Sequence, residues 1–294
     1  MPCGNKKVLV TGATGLIGKE LIVPLKERGF DIYALTIDKN NPDNGVNWIP
    51  CNIFNQTEVQ KICSEIKAQY LLNMAWCTTG DYLSSQINYD FLSAGINLLK
   101  SFAENGGKRI VFTGTCFEYK FKNAPLKETD TLDAEKTTYT FCKNILRQIA
   151  GFYSVQNKLS FAYGRIFYVY GRQENKTRLT GMVIDKLSKN EEVIIKSGNL
   201  QKDYMYAKDI AGAFTALLDS KVEGIANICT GKPIYIKDFV KTIAQKMGKE
   251  HLVIFKDEPS NQPPIIAGDN TRLLKEVGYK IKYNLEEAIS EVIK

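Results

Sequence analysis

The sequence predicts an α/β protein, in which a doubly wound parallel sheet is joined to a smaller α/β lobe at the C-terminal end. Short apolar runs alternate with helical patterns through the first two-thirds of the chain. Strands separated by helices indicate parallel βαβ units with right-handed crossovers. The predicted strands are apolar along their whole length, which is typical of a sheet covered by helices on both faces.

Each predicted element follows from the spacing of its apolar residues and from the glycines that end it. The predicted strands in this part are Lys7–Thr11, Asp31–Ile37, Val46–Pro50, Tyr70–Ala75, Arg109–Thr113 and Leu159–Phe167. The predicted helices between them are Leu16–Arg28, Thr57–Ala68, Tyr82–Asn105 and Glu135–Gln156. Gly29 ends the first helix, and Gly106 with Gly107 ends the third.

After the sixth predicted strand the alternation loosens, and the chain is expected to form a second unit. The elements predicted here are the strand Val193–Lys196, the helix Lys208–Leu218 and the strand Ala226–Thr230. From Lys232 the pattern is helical, with a Pro-rich stretch near residues 259–264. We expect one domain from residues 1–171 and 204–231, and a substrate-binding lobe from the remaining segments, 172–203 and 232–294.

The composition is that of a folded globular protein, since 44% of the 294 residues are hydrophobic and 24% are charged. No run of about 18 apolar residues occurs, so we expect no transmembrane helix and no membrane partner. Residues 1–7 lead directly into a strand pattern without an apolar signal region, which predicts a cytoplasmic protein. The net charge of +7 is dispersed, so no nucleic-acid partner is predicted.

The seven cysteines are scattered and include no CxxC pair, which indicates reduced and mostly buried thiols. His251 is the single histidine, so the chain has little material for a zinc site or a histidine-based catalytic triad. No metal site is predicted, and His251 is interpreted as a surface residue.

A glycine-rich turn, TGATGLIG at residues 11–18, stands between the first predicted strand and its helix. Gly12 permits a tight turn, Gly15 lets the backbone approach a pyrophosphate, and Gly18 lets helix and strand pack closely. Backbone N–H groups and the helix dipole then face the anion. This placement predicts a dinucleotide-binding Rossmann domain, and a purely structural turn is the alternative.

The end of the second predicted strand indicates which dinucleotide is bound. An NAD enzyme usually has an acidic residue there, about 20 residues after the turn, that holds the ribose 2′-hydroxyl. Thr36 cannot repel a 2′-phosphate and Lys39 can attract one, whereas Asp38 stands slightly late. We therefore favour NADP (NADPH), with NAD possible. The alternative is that Lys39 and Asp38 are ordinary loop residues.

Three further residues predict a catalytic site. Tyr139 and Lys143 stand four apart in the fourth predicted helix and project from one helical face. A nearby ammonium lowers a phenol's pKa by about 1–3 units, so such a tyrosine can exchange a proton with a substrate oxygen while a nicotinamide transfers hydride. Thr115 follows the fifth strand at the carboxyl edge of the sheet, where ligands bind. Taken singly, the Tyr–Lys spacing suits surface packing and Thr115 suits a turn.

Six segments together resemble the extended short-chain dehydrogenases/reductases, the branch that contains nucleotide-sugar epimerases, dehydratases and reductases. They are TGATGLIG at 11–18, TGTCFEY at 113–119, YTFCK at 139–143, RIFYVYG at 165–171, KDYMYAKDIA at 202–211 and NICTG at 227–231. The segments span nearly the whole chain in the family's order. The resemblance implies an NAD(P)-dependent oxidoreductase in which Thr115 hydrogen-bonds the substrate, Tyr139 is the acid/base and Lys143 binds the ribose and activates the tyrosine.

The resemblance also implies where the cofactor lies, because the segment after the fourth strand matches one that lines the cofactor in that family. The residues predicted to contact the dinucleotide are Thr11, Gly12, Thr14, Gly15, Leu16, Ile17, Gly18, Thr36, Lys39, Asn52, Ile53, Met74, Ala75, Trp76, Tyr139 and Lys143.

The residues after Thr115 separate the branches of the family. Sugar dehydratases have Asp and Glu one and two places later, where this chain has Cys116 and Phe117, and phenylalanine cannot transfer a proton. Enzymes that epimerise carbons 3 and 5 have a cysteine two places later and a distant histidine, so Cys116 and His251 do not match them. A 4-ketoreductase or a 4-epimerase remains.

The family's epimerases commonly have Asn where Tyr168 stands, which, together with Thr36, favours an NAD(P)H-dependent reductase of a 4-keto, 6-deoxy nucleotide sugar. A 4-epimerase with tightly bound NAD and a non-catalytic dinucleotide-binding scaffold are the alternatives. The residues predicted to contact the substrate are Thr115, Cys116, Phe117, Tyr168, Arg178 and Lys202.

Two further expectations follow from the resemblance. Lys202 occupies a position where relatives often have an arginine that binds diphosphate, and a lysine would bind it as a point charge. The helices at 82–105 and 135–156 match those that form a four-helix interface in relatives, so a homodimer is expected. Glu118 has no role that the pattern assigns.

Overall fold

The computed structural model describes residues 6–38, 41–42, 44–256 and 258–294. The strands, in chain order, are β1 (Lys6–Thr11), β2 (Phe30–Thr36), β3 (Asn47–Pro50), β4 (Tyr70–Asn73), β5 (Arg109–Thr115), β6 (Ser160–Ile166), β7 (Tyr168–Tyr170), β8 (Val193–Ile195), β9 (Gln201–Lys202), β10 (Tyr204–Tyr206), β11 (Gly224–Ile228), β12 (Ile234–Tyr235), β13 (Val253–Phe255) and β14 (Ile265–Ile266).

The helices pack around these strands. They are α1 (Ile22–Glu27), α2 (Gln56–Ile66), α3 (Ile87–Glu104), α4 (Thr138–Gln156), α5 (Leu179–Ser188), α6 (Ala207–Asp219), α7 (Ile236–Met247), α8 (Thr271–Lys275) and α9 (Leu285–Val292). None of the helices in the described ranges combines the length and apolar character needed to cross a membrane.

The large sheet has seven strands in the order β3-β2-β1-β4-β5-β6-β11, and every neighbouring pair is parallel. Side chains of α1 and α6 form the core on one face, and those of α2, α3 and α4 form it on the other. The expectation of a doubly wound α/β sheet is therefore confirmed. The strand order reverses between β1 and β4, and the crevice beyond the carboxyl ends of two such strands is where this architecture binds ligands.

The helix predicted at Leu16–Arg28 is shorter than expected. Gly18–Leu21 forms a 3₁₀ turn, and α1 begins only at Ile22. Pro24 explains this difference, because a proline has no N–H to donate to the carbonyl four residues earlier and its ring crowds that carbonyl.

The helix predicted to start at Glu135 begins at Thr138 instead. Thr137 is its N-cap, with an extended backbone (φ −142°) and a side-chain oxygen that accepts the amide of Thr140 at 3.1 Å. A threonine cap of this kind fixes the first turn of a helix, and it sets the position of Tyr139, two residues after the cap.

The C-terminal part is smaller and mixed. Its core lies between α5, α7 and α9, with β8 and β13 paired beside them. The prediction that the chain is helical from Lys232 was incomplete, because β12, β13 and β14 also lie there. These strands have only two or three residues each, and their pairing partners are distant in sequence, so no local apolar period marks them.

Cysteine and histidine burial agrees with the expectations. Five of the six described cysteines are buried and all six are free thiols, while Cys77 is partly exposed. His251 lies on the surface.

Asp203 joins the large sheet to the C-terminal part. The residue lies between β9 and β10, is fully buried, and accepts hydrogen bonds from the amides of Thr230 (2.8 Å), Gly231 (2.9 Å) and Gly268 (3.3 Å). The hydroxyl of Thr230 donates a fourth bond at 2.6 Å. One carboxylate therefore satisfies backbone donors of two segments that follow β11 and β14.

Replacing Asp203 by Ala should destabilise the protein by about 3 kcal/mol or more, because each buried amide left without an acceptor costs about 1–3 kcal/mol. Urea unfolding of the variant and the wild type measures this difference. Asp185→Ala is the control, since Asp185 makes only surface ion pairs with Lys176 and Lys189, and its loss should matter much less. Equal losses in the two variants would contradict this account of Asp203.

Candidate active site

The glycine turn lies at the point where the strand order reverses. Gly12 has φ +70°, and a Cβ at this residue would lie 2.8 Å from the backbone nitrogen of Ala75. A Cβ on Gly18 would lie 1.9 Å from the carbonyl oxygen of Gly12. Both positions therefore require glycine, one for the conformation and both for the close approach of backbone to backbone.

Thr11 fixes this turn against the end of β4. Its hydroxyl donates to Oδ1 of Asn73 at 2.5 Å and accepts the amide of Ala75 at 3.1 Å. The amide of Met74 donates to the Thr11 carbonyl oxygen at 3.2 Å. Thr11 and Ala75 thus hold the two strand ends together without lining the space beyond them.

A cavity of about 460 Å³ opens above these strand ends. All the predicted catalytic and substrate residues line it, as do Gly12, the segment 15–18, Met74 and Trp76 among the predicted cofactor residues. The lining formed by the described residues does not include Thr11, Thr14, Thr36, Asn52, Ile53 or Ala75.

The predicted residues at the ends of β2 and β3 have local roles. Thr36 is 5% exposed, and its hydroxyl accepts the amide of Asp38 at 3.0 Å. Asn52 accepts the amide of Phe54 at 3.1 Å and so shapes the loop after β3. Lys39 lies outside the described residues.

The three predicted catalytic residues meet at one wall of the cavity. Thr115 ends β5, and both it and Tyr139 on α4 line the cavity. Lys143, one turn further along α4, donates to the Thr113 carbonyl oxygen at 3.0 Å and to its hydroxyl at 3.2 Å. Sequence reasoning missed the role of Thr113, whose place in the TGT segment two residues before Thr115 was the available signal.

Aromatic side chains enclose this wall. The ammonium of Lys143 lies 4.1 Å from the ring centroid of Trp76, and the ring of Tyr139 packs edge-on against Tyr82 at 5.1 Å. The indole N–H of Trp76 donates to Oδ1 of Asn88 at 2.7 Å, which fixes the indole. An ammonium over an aromatic face is attracted by the ring's negative face, so Trp76 helps to hold Lys143 in place.

Arg178 and Lys202 line the same cavity. Arg178 donates to the Thr78 carbonyl oxygen at 2.7 Å and lies 4.9 Å from the ring of Tyr82, so it spans the cavity toward the loop after β4. Lys202 is 1% exposed, and its ammonium has no hydrogen-bond partner within the described ranges. Glu174, which the sequence did not single out, also lines the cavity, and one of its carboxyl oxygens lacks a partner there.

Comparison with known proteins agrees with this geometry. Residues 8–229 match the NAD dependent epimerase/dehydratase family. The chain belongs to this family.

Individual relatives cover the chain almost completely. The dTDP-4-dehydro-6-deoxyglucose reductase of Escherichia coli is 27% identical, over 100% of this chain and 98% of the relative. The dTDP-6-deoxy-L-talose 4-dehydrogenase (NAD(+)) of Aggregatibacter actinomycetemcomitans is 27% identical, over 80% and 88%. The UDP-glucose 4-epimerase structure from Thermotoga maritima superposes with a TM-score of 0.87 over 98% and 97% of the two chains, at 19% identity, which shows a shared fold.

Members of the NAD dependent epimerase/dehydratase family are NAD(P)-dependent enzymes of the extended short-chain dehydrogenase/reductase type, and the residues of this chain fit such a dinucleotide. The glycine turn leaves no side chain between its backbone and the cavity at Gly12, Gly15 and Gly18. Gly12 and Gly15 also line the same cavity as Tyr139 and Lys143. The turn can therefore hold a pyrophosphate, and Lys143 with Tyr139 can hold the nicotinamide half.

Burial dominates the electrostatics of the catalytic pair. Burial raises the pKa of Tyr139 well above its usual value, and the interaction with the Thr115 side chain only partly opposes this. Burial also lowers the pKa of Lys143 from 10.5 to about 7, although the Coulomb interaction with Glu118 raises it. The expectation that a nearby ammonium lowers the tyrosine's pKa was wrong for this structure, because desolvation outweighs the neighbouring charges.

The depressed pKa of Lys143 predicts how stability changes with pH. The folded chain releases this proton near pH 7 and the unfolded chain near pH 10.5, so the unfolded chain binds more protons between these values. The free-energy cost of burying the Lys143 ammonium is therefore largest below pH 7 and disappears as the pH approaches 10.5. Relative to wild type, Lys143→Met should gain about 3 kcal/mol more unfolding free energy at pH 6 than at pH 9.5.

Urea titrations of both proteins across this pH range provide the measurement. Lys61→Met is the control, because the Lys61 side chain is 74% exposed and its ammonium stays in water on folding. Its difference from wild type should be flat with pH. A flat difference for Lys143→Met as well would refute the strong desolvation of Lys143.

Proposed function

We propose that this protein is an NAD(P)H-dependent reductase of a 4-keto-6-deoxy nucleotide sugar. The observation that carries the proposal is one cavity lined by Thr115, Tyr139 and Lys202, in which the Lys202 ammonium has no hydrogen-bond partner among the described residues. The first two can bind and protonate a carbonyl oxygen, and the third can bind an anion. A sugar ketone attached to a diphosphate has both groups.

The reaction consumes one hydride and one proton. A reduced nicotinamide held beside Lys143 would supply the hydride for the carbonyl carbon C4, and Tyr139 would give its phenolic proton to the oxygen, so that a ketone becomes a secondary alcohol. Thr115 donates a hydrogen bond to the same oxygen and supports the negative charge that develops there. The proton that Tyr139 loses is replaced from solvent in the next turnover.

The raised pKa of Tyr139 suits the acid that reduction of a ketone requires. Because burial raises the pKa of this phenol, it carries its proton at neutral pH and can act as an acid. The E. coli dTDP-4-dehydro-6-deoxyglucose reductase, which aligns with 100% of the chain, further supports a reductase.

The cofactor proposal is NADPH. Its support is the end of β2, where Thr36 stands in place of an acidic residue that would repel a 2′-phosphate. Asp38, which is exposed and two residues later, keeps NADH as the alternative.

Tyr139→Phe should lower turnover by roughly 100-fold or more, the size expected for loss of a positioned proton donor. Binding of the dinucleotide should be little changed, because the phenyl ring remains. Loss of NADPH absorbance with a dTDP-linked 4-keto-6-deoxy sugar measures turnover, and fluorescence titration measures NADPH and NADH binding. Tyr153→Phe is the control on the same helix, since Tyr153 is half-buried and not part of the cavity lining.

The dinucleotide itself separates the alternatives. Exchangeable NADPH that binds more tightly than NADH agrees with the proposal, whereas NAD⁺ retained through purification points to a 4-epimerase. Full activity in Tyr139→Phe would disprove the proton-transfer role.

Lys202→Met should raise the KM for the nucleotide sugar by roughly 10- to 100-fold, because a hydrogen bond to a charged group is worth about 1.5–3 kcal/mol. Burial lowers the pKa of Lys202 to about 8, so the ammonium loses its proton as the pH rises above that value. The wild-type KM should therefore increase above pH 8, and the KM of Lys202→Met should not. Lys202→Arg keeps the positive charge, so its KM should rise less than that of Lys202→Met. An unchanged KM in Lys202→Met would exclude this residue as the anion site.

We also propose a homodimer formed through α3 and α4. Phe141, Phe152 and Val155 on α4 are 38%, 70% and 80% exposed, and at 100° per residue they lie within about 60° of one another. Tyr89 on α3 is 48% exposed, and α3 packs beside α4. An apolar stripe on two adjacent helices is suited to a two-fold interface.

Phe152→Asp should convert a dimer into a monomer, because it places a charge inside the proposed interface. Sedimentation velocity of wild type and variant is the measurement. Val23→Asp is the control, since Val23 is 64% exposed on α1, away from these helices. A wild-type protein that sediments as a monomer would reject the proposed dimer.

A further inference from the structure

A buried ion pair lies directly behind the catalytic threonine. Glu118 and Arg165 both have fully buried side chains, and Nε of Arg165 donates to Oε2 of Glu118 at 2.9 Å. Arg165 also lies 4.4 Å from the ring centroid of Tyr119. Neither charge lines the cavity. The pair therefore contacts no substrate, and the reaction proposed above does not use it directly.

The other carboxyl oxygen of Glu118 reaches the site through its neighbours. Oε1 accepts the backbone amide of Thr115 at 3.0 Å and the hydroxyl of Tyr163 at 2.8 Å. Thr115 in turn accepts the amide of Phe117 at 3.3 Å, and these two bonds form a capping box around the short 3₁₀ turn Cys116–Glu118. Glu118 thus fixes the backbone that carries the Thr115 hydroxyl.

Tyr163 extends this contact to the helix that carries the other catalytic residues. Its hydroxyl lies 3.2 Å from the carbonyl oxygen of Lys143 on α4. Gly114 admits the ring, since a Cβ at that residue would lie 2.2 Å from it. Glu118 is therefore connected to Thr115 by one hydrogen bond and to Tyr163 by another. The Tyr163 hydroxyl also contacts the Lys143 carbonyl oxygen, but its single proton is donated to only one of the two acceptors at a time.

We propose that Glu118 is a positioning residue, whose buried carboxylate holds the Thr115 turn and thereby places the Thr115 hydroxyl for proton transfer at the substrate oxygen. The inference rests on the proposed reductase function and deepens it. Stability alone does not account for the ion pair, because well-packed apolar residues often replace such pairs without loss of stability. An apolar residue in place of Glu118 would leave the Thr115 amide without a hydrogen-bond acceptor.

Two double variants isolate that acceptor. Glu118→Gln with Arg165→Met removes both charges but keeps an oxygen for Thr115 and Tyr163. Glu118→Met with Arg165→Met also removes both charges, and it removes the oxygen as well. Neither double variant leaves an unpaired buried charge. The two variants therefore differ in whether residue 118 offers a hydrogen-bond acceptor to the Thr115 amide.

We expect kcat to be at least tenfold lower in the Met/Met protein than in the Gln/Met protein, with similar KM values and similar NADPH affinity. Repeating the comparison in a Thr115→Ala background should abolish most of this difference, because Glu118 acts through the threonine. Equal kcat values, or a tenfold difference that persists without the Thr115 hydroxyl, would overturn the inference.

Hydrogen exchange gives a readout that needs no substrate. Amides in the segment 113–119 should exchange faster in the Met/Met protein than in the Gln/Met protein, while the amides of α9, far from the pair, should be unchanged. Equal protection of that segment would also overturn the inference. If the wild type itself reduces no 4-keto sugar, the proposed function fails, and the exchange result still tests the structural role of Glu118.

Glu118→Asp covers the case in which the double variants do not fold. The substitution keeps the charge for Arg165 but withdraws the carboxylate by one methylene from the Thr115 amide. It should lower kcat and increase exchange in 113–119. Wild-type values for both measurements would contradict the proposed positioning role.

Discussion

The carbonyl oxygen of Gly12 occupies the space that a Cβ on Gly18 would fill, and the backbone of Ala75 occupies the corresponding space beside Gly12. These contacts let the turn after β1 close onto the end of β4 at the point where the sheet reverses. The cavity depends on that closure, because Gly12 and Gly18 form part of its lining. A methyl group at either glycine would push the strand ends apart before it affected any side chain in the site.

Low solvent exposure then sets the chemistry. Tyr139 and Lys143 are 7% and 4% exposed. Desolvation raises the pKa of the Tyr139 phenol, which keeps it protonated, and lowers the pKa of the Lys143 ammonium. The pKa of Lys202, in the same cavity, is lowered for the same reason. A cavity with these properties favours the arrival of negative charge, because an anion restores the electrostatic partner that burial removed.

The sequence predicted the fold well, because the sheet is built from local signals. Apolar strands, glycine turns and helix periods lie within short windows, and the residues gathered at the strand ends follow from the parallel topology. The short strands β12, β13 and β14 were missed, because only their distant partners define them. Glu118 could not be interpreted for the same reason, since its partners Arg165 and Tyr163 stand 47 and 45 residues later. The raised pKa of Tyr139 depends on packing from several elements, which no spacing in one helix records.

The stacking of Trp76 beside Lys143 gives the protein an internal optical probe. The chain has two tryptophans, and only Trp76 lines the cavity, where its ring centroid is 4.1 Å from the ammonium of Lys143. Indole emission responds to a charge held against the ring, and the indole is kept in one orientation by Asn88. The fluorescence of this residue therefore reports, without any added label, whether the lysine of the active site carries its proton.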